Sequence, residues 1–132
     1  MHFMQGLPDF AIYFGMGLGF MVLYVVLYLY ATPHREITLI RGANLPAAVV
    51  LAGALLGFAL PLASALRIAS GLLDVAAWAF MALVAQLAAY ALVALLLKDF
   101  SKRINRGEMA AAVLAAAIHV GVGLLNSAAM SF

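Results

Sequence analysis

Residues 42–66 read GANLPAAVVLAGALLGFALPLASAL, a stretch without a single charged side chain. A helix needs about 20 residues to cross a hydrocarbon core about 30 Å thick, at about 1.5 Å of rise per residue. Three more charge-free runs of that length follow the same rule, at Phe10–Pro33, Val75–Leu97 and Met109–Phe132. Hydrophobic residues make up 68% of the chain and charged ones 9%, which excludes a water-soluble fold. Lipid offers the backbone no hydrogen-bond partner, so runs of this length are expected as helices. The alternating segments of a transmembrane β-barrel are missing.

The expectation is therefore an all-α membrane protein with four transmembrane helices, forming one domain over residues 1–132. No stretch is left for a soluble catalytic domain. A net charge of +2 held close to the membrane gives no argument for nucleic acid, and without cysteine there is no disulfide or thiolate metal site. The amino-terminal run follows Asp9 rather than Lys or Arg and exceeds the usual signal-peptide core, so it is expected to be retained.

Basic residues set the expected orientation. Arg35 and Arg41 lie in the first connection, and Lys98, Lys102, Arg103 and Arg106 in the third, leaving only Arg67 of the seven on the opposite side. The positive-inside rule places those two connections in the cytoplasm and both termini outside. Tyr24, Tyr28 and Tyr30 are expected in the headgroup belt. Asn44 is a candidate N-cap, with Pro46 in the first turn behind it. Asp74 is expected to cap the third span and to pair with Arg67 across the short outer turn.

The two halves look alike. A shift of 65 residues superposes Arg41-Gly42 on Arg106-Gly107, each just ahead of an alanine-rich run. This predicts two tandem, parallel helical-hairpin repeats, about 10–66 and 75–131, related by an axis along the membrane normal. Gly15-x-x-x-Gly19 and Gly53-x-x-x-Gly57 are expected to let helices approach closely, either within the bundle or between copies.

Gln86 and His119 fall near the middles of the third and fourth spans, with Ser64 and Asn126 toward the outer ends of the second and fourth. Such groups either bind helices together or line a polar site. Gly53, Gly57, Pro61 and Ser64 fall within about 80° of one another on a helix. Pro61 cannot donate to the Gly57 carbonyl, which is left as an acceptor for an amide or water, and a kink or hinge is expected there. No paired carboxylates, phosphate loop, metal-ligand cluster or nucleophilic triad is present, so neither an enzyme nor a cofactor is expected.

Thr32-Pro33-His34, the Gly53…Leu56-Gly57…Pro61-Leu62…Ser64-Ala65 string, Ala77-Trp78, Ala82-Leu83-Val84…Gln86 and Asn126…Ala128…Met130 together resemble a known family. It is the small bacterial inner-membrane proteins of domain of unknown function 350, YjfL type. The resemblance covers nearly the whole chain. It implies a four-helix inner-membrane protein built from two tandem copies of a helical pair, with genomic association to PspA-like membrane-stress proteins and ATP-grasp enzymes. It implies no biochemical activity. Gly57, Pro61, Ser64, Trp78, Gln86 and Asn126 match its motif positions, whereas His119 departs from the small residue found there. Two readings stay open: a homo-oligomeric membrane component that recruits cytoplasmic partners through its basic connections, and a small channel or transporter running past Gln86, Asn126 and the Gly57–Pro61 notch.

Overall fold

Four of the helices in a computed structural model of the chain are long and apolar enough to cross a membrane. The structure describes residues 3–32 and 36–130. In chain order the helices are α1 (Phe3–Ala31), α2 (Glu36–Arg41), α3 (Leu45–Ile68), α4 (Leu72–Leu96), α5 (Phe100–Asn105) and α6 (Met109–Ala129). The long ones are α1, α3, α4 and α6, and no strand occurs among the described residues. Pro33, His34 and Arg35 lie outside the described residues, as do His2 and Phe132.

Local chemistry explains most of the boundaries. Asn44 caps α3, its side chain accepting from the Ala47 N–H at 2.9 Å with Pro46 in the first turn. Asp74 does not cap α4. Gly71 holds that position, and Asp74, three residues on, reaches back to accept from the Ser70 N–H at 3.1 Å. Arg67 bonds Ser64 at 2.9 Å, so the expected Arg67–Asp74 pair does not form. The first span starts at Phe3 rather than Phe10, carrying Pro8 and Asp9 within its first turns. Both sit at a helix end, where a lost backbone bond and a charge are tolerated.

The most extensive contact in the bundle is the seam between α3 and α6, which run parallel: Gly53 meets Ala116, Gly57 meets His119 and Gly123, and Ser64 meets Ser127. A β-carbon on Gly53 would stand 2.5 Å from the Ala116 Cα, and one on Gly123 would collide with the Gly57 backbone. α4 packs on both of these helices, and α1 lies outermost.

Tyr24 and Tyr28 leave the belt expected of them. Both are fully buried, Tyr24 stacked on Phe58 at 4.6 Å and Tyr28 edge-on to Tyr90 and His119 at 5.8 Å each. Only Tyr30, 86% exposed, faces outward. These tyrosines set the rotation of α1. Gly17, seven residues before Tyr24, shares their face, and a β-carbon there would lie 3.2 Å from the Leu66 Cδ1. Gly15 and Gly19 therefore point away, with nothing within 4 Å of a β-carbon at either. The close approach within the chain belongs to Gly17, not to that pair.

The turns that enter α3 and α6 are closed by the same bonds. Gly42, Ala43 and Asn44 N–H groups donate to Thr38, Ile40 and Leu39 carbonyls, and Arg106, Gly107 and Glu108 donate to Lys102, Ile104 and Arg103. Ala43 and Gly107 hold the left-handed conformation, at φ 63° and 81°.

Candidate functional site

Three helices meet at one polar side chain in mid-membrane. Gln86, fully buried on α4, donates from Nε2 to the Gly57 carbonyl at 3.0 Å and to the His119 carbonyl at 3.1 Å. With both amide hydrogens committed, its Oε1 accepts from the His119 Nδ1 at 3.0 Å. The reason lies in the α3 sequence. Pro61 has no N–H for the Gly57 carbonyl, and α3 nevertheless continues unbroken to Ile68. Gly57 has no side chain to shield that carbonyl, so an amide from α4 replaces the missing donor. Expected as a notch, this position is closed by Gln86 on one side and Gly123 on the other.

Two turns further along the seam, Ser64 and Ser127 are bonded hydroxyl to hydroxyl, and Arg67 donates to Ser64. Asn126 lies on the face of α6 that carries His119, seven residues on, and is half-buried. Two buried polar atoms of this seam have no bond among the described residues, Asn126 Nδ2 and His119 Nε2. Gln86 and Asn126, expected along one pathway, are not bonded to each other.

At the opposite end lie the basic connections, and the structure adds a feature that their charge pattern did not show. The charged connections contain two short amphipathic helices. In α5, Phe100 and Ile104 are buried while Lys102 is exposed and Arg103 half-exposed; in α2, Leu39 and Ile40 pack on the core while Arg41 is exposed. In α5 the signal was Phe100 and Ile104, four apart, with Lys102 and Arg103 between them. Asn44 joins the two connections, donating from Nδ2 to the Ile104 carbonyl at 3.0 Å. Arg41, Lys98, Lys102, Arg103 and Arg106 thus share one end of the bundle, and among the described residues Arg106 pairs with Glu108 at 2.7 Å. Arg35 lies outside the described residues.

The family model described as Domain of Unknown Function (DUF350) matches residues 1–130. The chain belongs to the DUF350 family. Over its full length, and the full length of each relative, it is 33% identical to the UPF0719 inner membrane protein YjfL of Escherichia coli K12 and to that of Escherichia coli O157:H7. No solved structure matches it. With four apolar spans, this DUF350 chain is a multi-pass inner-membrane protein.

Proposed function

We propose that this DUF350 protein is a non-enzymatic, oligomeric component of a membrane-stress system. Its two basic connections face the cytoplasm and recruit an acidic, PspA-like partner, and both termini lie outside. One observation carries the reading: the Asn44–Ile104 bond holds two connections, 60 residues apart in sequence, as one basic surface. Near anionic lipid each Lys or Arg contributes about 1 kcal/mol, enough to hold that surface at the headgroups beside a partner. The positive-inside rule supports its cytoplasmic side.

A duplication underlies the surface. The closing bonds of the α2–α3 and α5–α6 turns recur at a constant offset of 64 residues, one less than the Arg-Gly coincidence suggests. That register, with α3 and α6 parallel, supports two tandem hairpin repeats. Gly15 and Gly19, unused inside the chain, offer a second copy a close approach.

Lys102→Gln with Arg103→Gln tests recruitment, since Lys98 and Arg106 remain to hold the orientation. Loss of PspA-like co-purification at unchanged expression supports it; wild-type recovery refutes it. A second reading rests on Asn126 Nδ2 and His119 Nε2, two buried polar atoms left unbonded along one seam. It makes that seam a path for protons or small ions. Proton or cation flux through proteoliposomes, abolished by His119→Leu, would place it ahead.

A further inference from the structure

We propose that the groove between α1 and α3, at the end of the bundle that carries Arg67, is a binding site for one phospholipid: an acyl chain fills the groove and its phosphate sits on Arg67. The groove encloses about 180 Å³ and is lined only by apolar residues, among them Phe14, Gly17, Leu18, Ala59, Ala63 and Leu66. Its depth comes from size differences along the two helices. Gly17 brings α1 down onto Leu66, and Ala59 and Ala63 leave a trough between larger neighbours. Phe14 to Met21 spans about 10 Å along α1 at 1.5 Å per residue, so the trough is long and narrow, as a chain of methylenes is. It opens inside the hydrocarbon layer, where acyl chains are the available solvent.

Charge at the rim makes the site specific. Arg67 follows Ala59 and Ala63 at helical intervals of four, which places it at the upper edge of the groove as α3 leaves the membrane. It is exposed, and its one described bond is to the neutral Ser64 hydroxyl. Asp74, the nearest carboxylate in sequence, is turned to the Ser70 N–H instead. A guanidinium with donors to spare, one helical turn beyond the last alanine of an apolar slot, matches the phosphate of a lipid whose chain lies in that slot. Since Asp9 and Asp74 share this end, the site binds zwitterionic as well as anionic headgroups. The other five described basic residues lie at the opposite end, so lipids held there are separable.

Native mass spectrometry of the delipidated full-length protein, titrated with phosphatidylethanolamine or with diacylglycerol of the same chains, tests the site. One phosphatidylethanolamine per chain is expected to bind at least tenfold more tightly than diacylglycerol. Ala63→Leu, which fills the groove from an exposed position, should weaken both by tenfold or more. Arg67→Gln should abolish the preference for the phospholipid and Arg67→Lys should keep it. Lys102→Gln with Arg103→Gln should leave the bound lipid in place. Wild-type binding by Ala63→Leu, a preserved preference in Arg67→Gln, or loss of the lipid on neutralising the basic end would each overturn the proposal.

Discussion

Gln86 and Pro61 should be energetically coupled although they lie on different helices and their side chains do not bond. Gln86→Leu removes three hydrogen bonds, two donated to backbone carbonyls and one accepted from His119. Interhelical hydrogen bonds in membranes contribute about 0.6–1.7 kcal/mol each, so the variant should lose about 2–5 kcal/mol of stability. Part of that loss is the Gly57 carbonyl, which has no alternative donor while residue 61 is proline. Pro61→Ala supplies the backbone N–H and restores the bond within α3. In that background Gln86→Leu orphans one carbonyl fewer and should cost about 1 kcal/mol less, on the scale of one net hydrogen bond. Reversible unfolding in bicelles, on the wild type, both single variants and the double variant, measures the coupling directly. Independent sites add to within about 0.3–0.5 kcal/mol. Additivity inside that margin would mean that the Gln86 amide does not replace the donor that Pro61 withholds.

Gly57→Ala and Gly123→Ala should each prevent recovery of folded protein, because a β-carbon at either meets backbone across the seam, whereas Gly15→Ala and Gly19→Ala should leave monomer stability unchanged; yield and thermal stability in detergent compare them. Asn44→Ala removes both the α3 cap and the link to Ile104, and should destabilise by about 1–2 kcal/mol and raise hydrogen exchange in α5 more than in α4. The chain has no cysteine, so single cysteines at Ser70 and Lys102 can be labelled with an impermeant maleimide in intact cells. Ser70→Cys should react and Lys102→Cys should not; the reverse pattern would invert the orientation.

How much of this was legible in the sequence depended on the range of the interaction. The Asn44 cap was readable because it needs only the next three residues. The orphaned Gly57 carbonyl was readable because Pro61 dictates it four residues away. That Gln86 would satisfy it required the rotation of α4, which an apolar stretch with alanine on every side does not encode. Tyr24 and Tyr28 misled for a similar reason. A tyrosine near a span end suits a headgroup or a bundle interior equally, and only packing against Phe58 and His119 decides. Gly15-x-x-x-Gly19 has the spacing of a packing face, yet the heptad interval from Gly17 to Tyr24 marks the face α1 buries. The short helix α5 was masked by the charges of residues 98–108, although Phe100 and Ile104 already marked an inward side.

Site-specific photocrosslinking in living cells tests the central claim, that the joined basic connections face the cytoplasm and hold a partner there. A crosslinking residue at Arg103 should yield an adduct with the PspA-like stress protein, whereas one at Ser70, beyond the opposite end of the bundle, should yield none. Lipid adducts alone at position 103, or a PspA-like adduct at position 70, would contradict the account.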